Sequence, residues 1–200
     1  MEEQGQIKRA TIFCASSPKA PKIYFDEAEQ LTELLVQQGY GIVYGGGSQG
    51  LMGIVADTAL RLGAPVTGII PRFMVDVEWQ HKGVEDMRLV DTMAERKKML
   101  IDMADAIIIL AGSTGTMDEL FDAMADKKLG LLHKPIVILN TNNFYRHLAE
   151  QLKLMVKEHF MTEKHLRTLY IADTPEELVE YLLQGDDAQN DITLEDAAVK

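Results

Sequence analysis

Two loops rich in small residues could each hold an anionic ligand. The first contains Gly45, Gly46, Gly47 and Ser48, and the second contains Gly112, Ser113, Thr114, Gly115 and Thr116. A glycine has no Cβ, so a ligand can approach its backbone closely. A helix that follows such a loop directs unpaired N–H groups and its positive dipole end into the same space, which suits a phosphate or a nucleotide. Taken alone, the first loop is equally compatible with a tight strand-to-helix turn.

Charged side chains near the second loop could supply catalysis. Asp118 and Glu119 fall in the first turn of the helix predicted after that loop, where an acidic residue also simply favours the helix dipole. Arg96 and Lys97 belong to a basic cluster on the preceding helix, and such a cluster usually forms a solvated face. Because the next strand is only a few residues away, the planar guanidinium of Arg96 could reach a phosphate or a base edge.

Short apolar runs alternate with helical patterns along the chain. Strands are predicted at 10–15, 41–44, 65–70, 87–90, 104–110, 135–139 and 170–172. Helices are predicted at 24–38, 51–62, 94–103, 117–129, 144–159 and 175–183. This alternation predicts an α/β fold, a Rossmann-like doubly wound parallel sheet flanked by helices on both faces. We expect a single domain over residues 8–183, with disordered tails at 1–7 and 185–200.

Composition narrows the class of partner. The 200 residues carry a formal charge of −11, which opposes a large nucleic-acid surface but allows one small phosphate ester. Cys14 is the only cysteine, so an intrachain disulfide is impossible and a reducing compartment is the simpler expectation. The polar N-terminus and the absence of a long apolar run predict no membrane partner. A cytoplasmic location is therefore expected.

Three segments together resemble the LONELY GUY (LOG) family, the cytokinin riboside 5′-monophosphate phosphoribohydrolases, which are often described as lysine decarboxylase-like. They are YGGGSQGLMG at 44–53, M-x-x-RK at 93–97 and G-x-x-GT-x-x-E at 112–119. The similarity extends over about residues 8–183. The resemblance implies a homodimeric, Rossmann-like enzyme that releases an adenine-type base from a nucleotide and leaves ribose 5-phosphate.

The resemblance also assigns residues. It makes Arg96 and Glu119 the catalytic pair. We expect no cofactor and no metal, since no His or Cys spacing suggests metal ligands. Around the nucleotide it places Glu78, Lys97, Gly112, Ser113, Thr114, Gly115 and Thr116, with Asp118 where the family usually has another acid. The chain departs from the family's Pro-Gly-Gly at Ala111-Gly112-Ser113. Serine at position 113 is tolerable only if its φ need not be positive.

The sequence thus favours a hydrolase that cleaves the N-glycosidic bond of AMP or an N6-substituted AMP, in the manner of an AMP nucleosidase or a cytokinin-producing enzyme. In this hypothesis Glu119 stabilises positive charge on the sugar, and Gly45 to Ser48 shape the floor of the crevice. The alternative is a non-catalytic carrier or sensor of a nucleotide or nucleotide-like cofactor on the same fold. A nicotinamide-dependent oxidoreductase is disfavoured, because no acidic residue is well placed for the ribose. No pyridoxal-lysine motif supports a decarboxylase.

Overall fold

The structure, a computed structural model, describes residues 8–75, 79–185 and 196. Within these residues every predicted strand and helix is present, together with one short α-helix, Glu163–Leu166, that the sequence pattern does not predict. The strands are β1 (Arg9–Phe13), β2 (Gly41–Tyr44), β3 (Val66–Pro71), β4 (Asp86–Val90), β5 (Ala106–Ile109), β6 (Ile136–Leu139) and β7 (Leu169–Ala172). The helices are α1 (Lys22–Gln37), α2 (Gly50–Arg61), α3 (Met93–Asp102), α4 (Thr114–Lys128), α5 (Arg146–Lys157), α6 (Glu163–Leu166) and α7 (Pro175–Gln184).

All of these strands belong to one parallel sheet in the order β4-β3-β2-β1-β5-β6-β7. Neighbouring residues of a strand point to opposite faces, so Ile12 and Phe13 of β1 enter two different apolar clusters. One cluster packs the sheet against α1, α2 and α7, and the other packs it against α3, α4 and α5. The predicted Rossmann-like, doubly wound α/β fold is confirmed.

Three helices begin two or three residues from the start that the apolar pattern predicts. α1 starts at Lys22 rather than at residue 24. α4 starts at Thr114 rather than at residue 117, because Ser113 is already its N-cap and the first turn needs no apolar side chain. α5 starts at Arg146, because a 3₁₀ turn precedes it in which Asn142 and Asn143 have φ values of 53° and 59°. Asparagine tolerates this left-handed region, which interrupts the helical pattern.

The predicted domain limits are not tested directly. The sheet is continuous from Arg9 to Ala172, as a single domain requires. Of the predicted tails, only Gly185 and Asp196 fall within the described residues. The single-domain prediction over 8–183 and the two disordered tails therefore stay predictions.

Candidate active site

A crevice opens at the carboxyl ends of β1 and β5, where the strand order reverses. The loops that follow these two strands lead to opposite sides of the sheet, which is the usual ligand position in this fold. The crevice has a volume of about 130 Å³. It is lined by Cys14, Ala15, Ser16, Met52, Met74, Met93, Arg96, Ser113, Gly115, Thr116 and Glu119. Arg96, Glu119 and part of the second loop are therefore brought together.

Arg96 is a cation held inside the protein. Its side chain is 3% exposed, its Nε donates to the backbone oxygen of Ile69 at 3.1 Å, and its Nη2 donates to that of Gly45 at 2.9 Å. Buried charges need such hydrogen bonds to offset desolvation. The helix that carries Arg96 starts in a capping box, in which Thr92 and Glu95 each bond the other's backbone N–H. The guanidinium is thus fixed at its helix and along its length.

Gly45 makes room for that guanidinium. A Cβ at this position would lie 2.4 Å from Nη2 of Arg96 and 3.2 Å from Cε of Met52. The residue has no positive φ, so close approach rather than backbone conformation requires the glycine. Gly45 therefore acts on the crevice through Arg96, and it is not itself among the residues that line it.

Glu119 supplies a carboxylate to the same crevice. It lies in the second turn of α4, one turn after Thr116, and is 6% exposed. A buried carboxylate and a buried guanidinium therefore face one small space, in which Met52, Met74 and Met93 form apolar walls. In such a space the attraction between a fixed charge and a charge that develops on a bound ligand is screened less than in water.

The start of α4 presents backbone N–H groups beside these two residues, an arrangement that suits an anion. Ser113 is the N-cap with φ of −97°, and its side chain makes no capping hydrogen bond. The first hydrogen bond of the helix runs from the N–H of Met117 to the carbonyl of Ser113. The N–H groups of Thr114, Gly115 and Thr116 precede it and therefore have no acceptor within the helix. The negative φ also shows that serine replaces the family's glycine at 113 without backbone strain.

Gly112 is required by a close approach of the next helical turn. A Cβ here would lie 2.0 Å from Oγ1, 2.4 Å from Cβ and 2.8 Å from Cγ2 of Thr116. The Thr116 side chain is buried, so it has little space into which it could retreat. Gly112 thus lets the loop fold tightly against the first turn of α4.

The first glycine loop is tied to the rest of the protein by several of its backbone groups. The oxygen of Gly46, a residue with φ of 84°, accepts from the N–H of His81 at 3.0 Å. The N–H and the hydroxyl of Ser48 both donate to the oxygen of Trp79, at 2.9 and 2.6 Å. Gly47 lies in an antiparallel bridge with the same segment. This loop packs against residues 79–81.

The start of α2 is also occupied by a protein acceptor. The N–H groups of Leu51 and Met52 donate to the backbone oxygen of Ala15, at 2.9 and 3.3 Å. Of the two helix starts that the sequence marks as anion sites, α4 therefore offers more free N–H groups than α2.

Lys97 and Asp118, which the resemblance places around the nucleotide, contact each other. The Nζ of Lys97 lies 3.1 Å from Oδ1 of Asp118 and 3.3 Å from Oδ1 of Asp122. Burial lowers the pKa of the Lys97 amine, but the two carboxylates together outweigh it and raise that pKa above its ordinary value. Neither Lys97 nor Asp118 is among the crevice residues. Glu78 lies outside the described residues.

A larger cavity of about 900 Å³ lies beside the first glycine loop, with Ser48, Asp57 and His81 in its lining. Nδ1 of His81 accepts from the N–H of Gly83 at 3.1 Å, so Nε2 carries the proton and donates to Oδ1 of Asp57 at 3.0 Å. Both ring nitrogens are thus engaged, and the imidazole offers no free base. We therefore place the chemistry in the smaller crevice, where the buried charges converge.

Sequence reasoning missed several residues of the crevice. The three methionines sit on different elements and share no spacing, so only the folded sheet brings them together. The capping box at Thr92 and Glu95 carried a readable signal, a threonine followed three residues later by a glutamate. Among the described residues, no three His, Cys, Asp or Glu side chains are grouped as metal ligands, and no helix is long and apolar enough to cross a membrane. The need for neither a metal nor a cofactor stays a prediction.

Fold and crevice together define a Rossmann-type α/β protein with an open helix start beside a buried arginine and glutamate. Residues 52–182 match the family profile described as "Possible lysine decarboxylase". The chain is 36% identical over 182 residues to the probable cytokinin riboside 5′-monophosphate phosphoribohydrolase LOGL2 of Oryza sativa subsp. japonica, covering 91% of this chain and 75% of that protein. It is 33% identical over 192 residues to the phosphoribohydrolase LOG7 of Arabidopsis thaliana, covering 96% and 88%. The chain belongs to the LOG family.

Solved structures agree on the fold. The X-ray structure of TM1055 aligns with a TM-score of 0.69 at 24% identity, covering 89% of this chain and 99% of that one. The molybdenum cofactor carrier protein of Chlamydomonas reinhardtii aligns with a TM-score of 0.67 at 16% identity, covering 90% and 98%. At these identities the likeness concerns the fold alone.

Proposed function

We propose that this protein hydrolyses the N-glycosidic bond of an adenine-type nucleoside 5′-monophosphate to give the free base and ribose 5-phosphate. The observation that carries the proposal is the convergence of buried Arg96 and buried Glu119 on one crevice, beside the open start of α4. The names of the rice and Arabidopsis relatives support the same reaction. AMP and N6-substituted AMP are the proposed substrates.

The 5′-phosphate binds at the start of α4. The N–H groups of Thr114, Gly115 and Thr116 donate to its oxygens, and the positive end of the helix dipole favours its charge. Hydroxyls of this loop add further donors. The phosphate thereby fixes the ribose beside Glu119, which lies one turn along the same helix.

Glu119 acts on the sugar. As the bond between C1′ and the base nitrogen breaks, its electron pair leaves with the base and positive charge develops on the ribose. The Glu119 carboxylate stabilises that charge and orients or deprotonates the water that adds to C1′. One proton of the water ends on the base, and its oxygen becomes the anomeric hydroxyl. Arg96 supports the departing base or the phosphate, from a position fixed by two backbone carbonyls.

The size of the crevice bears on the oligomeric state. Sites for small molecules usually measure about 300–1,000 Å³, whereas this crevice has about 130 Å³. A nucleotide therefore extends beyond it, and a second subunit in the proposed homodimer would supply a further wall. We also infer a cytoplasmic location, for which the single cysteine is the supporting feature.

Base release from AMP and from N6-isopentenyl-AMP, followed by chromatography, tests the proposal. Glu119→Gln should lower the rate about a hundredfold or more while nucleotide binding persists. Glu180→Gln, which changes an exposed glutamate on α7, is the matched control and should keep the wild-type rate. Full activity of Glu119→Gln would overturn the assignment.

A non-catalytic nucleotide carrier or sensor is the second candidate. The departure at Ala111-Gly112-Ser113 favours it, since Ser113 lines the crevice where the family has glycine. The carrier protein of Chlamydomonas shares the fold. Thermal-shift measurements with AMP and NAD separate the candidates when combined with the assay above, because a carrier is stabilised by a ligand and releases no base. No lysine lines the crevice in the described part of the chain, so the crevice gives no support to a decarboxylase that would hold pyridoxal phosphate on a lysine.

A further inference from the structure

One ion-paired group joins the two helices that carry Arg96 and Glu119. Lys97 on α3 contacts Asp118 and Asp122 on α4, at 3.1 and 3.3 Å. The Lys97 side chain is 17% exposed, whereas the two carboxylates are about half exposed. Lys97, Asp118 and Asp122 are called the α3–α4 clamp below.

The clamp is adjacent in sequence to both candidate catalytic residues. Lys97 directly follows Arg96, and Asp118 directly precedes Glu119. The backbones of α3 and α4 are not closely packed against each other, so contacts between side chains contribute to the distance between these helices. A change in that distance would move the guanidinium and the carboxylate relative to each other.

The geometry favours a structural role for Lys97, in which it holds the two helices together, over direct binding of the substrate. Its amine already has two carboxylate partners, and its side chain lies outside the crevice lining. Exposed ion pairs contribute little, but a partly buried lysine with two partners loses less to solvent screening. The raised pKa of Lys97 agrees with this pairing and keeps the amine charged at neutral pH.

We propose that the α3–α4 clamp positions Arg96 against Glu119, so that Lys97 is a positioning residue and not a ligand of the nucleotide. This inference rests on the proposed hydrolase function. It predicts that the clamp affects turnover more than binding, because a displaced catalytic pair still leaves the phosphate site at the start of α4 intact.

The test compares kcat and KM for base release from AMP in a set of variants. Lys97→Met keeps most of the side-chain volume and removes the charge. We expect kcat to fall between about tenfold and about a hundredfold, with KM changed less than about threefold. Asp118→Asn combined with Asp122→Asn should reproduce this loss, and adding Lys97→Met should lower kcat no further. Lys97→Arg, which retains the charge, should recover most of the activity.

Lys98→Met is the matched control. Lys98 lies on the same helix, but it is 75% exposed and pairs with Asp102 within α3. This variant should keep wild-type kcat and KM. Circular dichroism at the assay temperature establishes that each variant is folded.

The outcomes are distinct. If wild type releases no base, the proposed function and this inference fall together. If wild type is active and Lys97→Met keeps its kcat, only the positioning role is overturned. The same holds if Lys97→Met raises KM while the double aspartate variant behaves as wild type, since that pattern identifies Lys97 as a substrate contact.

Discussion

Gly112→Ala places a methyl group where the second loop touches α4. The new Cβ would lie 2.0 Å from Oγ1 of Thr116, about 1.4 Å short of the 3.4 Å at which ordinary contact begins. Rotation of the threonine does not relieve this overlap, because its Cβ and Cγ2 would also lie within 2.8 Å. The backbone of the loop or the first turn of α4 must therefore move by an ångström or so.

Overpacking of this kind costs about 1–3 kcal/mol of unfolding free energy. For a chain of this length the loss corresponds to a fall in Tm of about 2–12 °C. A displacement of about 1 Å at the phosphate site should also lower kcat/KM by about a hundredfold, because it separates the bound phosphate from Glu119.

Thermal unfolding and base release from AMP measure the two effects separately. Gly115→Ala is the control for stability alone. A Cβ at position 115 meets nothing within 4 Å, and alanine suits a helix better than glycine, so its Tm should not fall. A Gly112→Ala protein with wild-type Tm and wild-type kcat/KM would refute the close-packing argument.

Two further predictions concern Arg96 and a buried histidine. Gly45→Ala should push the Arg96 guanidinium from its place and lower kcat/KM more than about tenfold. The reason is that the new Cβ would lie 2.4 Å from Nη2 of Arg96, whose Nε is bonded to Ile69. Unchanged kinetics at a temperature below the Tm of the variant would count against the proposed role of Arg96. Burial, followed by the nearby Lys128, lowers the pKa of His165, and Asp196 opposes this shift only in part. The unfolded chain therefore binds more protons just below pH 6.5, and unfolding free energy should fall there on acidification. Urea titrations at pH 7.5 and 5.5 should show a smaller pH effect in His165→Gln, and an equal effect would exclude this histidine as the cause.

The fold was largely predictable because the local pattern of each element was strong. The second strand has the predicted bounds, Gly41–Tyr44, because its short apolar run begins after one glycine and is stopped by the three glycines that follow it. The start of α4 was misplaced by three residues because an N-cap and a polar first turn leave no apolar signal. The strand order, with its reversal between β1 and β5, depends on pairing between distant segments, which a local pattern does not contain.

The site was predictable in its residue types but less so in its contacts. Arg96 and Glu119 could be named from motifs and do share a crevice. The backbone acceptors of Arg96 could not be named, because they are carbonyls of β3 and of the loop that follows β2. The direction of the Lys97 amine could not be predicted either. Arg96 and Lys97 are neighbours on α3, but the helix turns by about 100° between them, so Arg96 enters the crevice and Lys97 faces α4. The sequence also could not show that the first N–H groups of α2 are occupied by a backbone oxygen whereas those of α4 are not, because the acceptor comes from a distant segment.

The tethering of Arg96 to backbone oxygens has a consequence for how this site can change over evolution. A hydrogen bond to a side chain is lost when that side chain mutates. Every amino acid carries a backbone carbonyl, so Ile69 can be exchanged for another strand-forming residue without removing the acceptor. Both acceptors are thus independent of side-chain identity, but position 45 must stay glycine, because a Cβ there would lie 2.4 Å from Nη2 of Arg96.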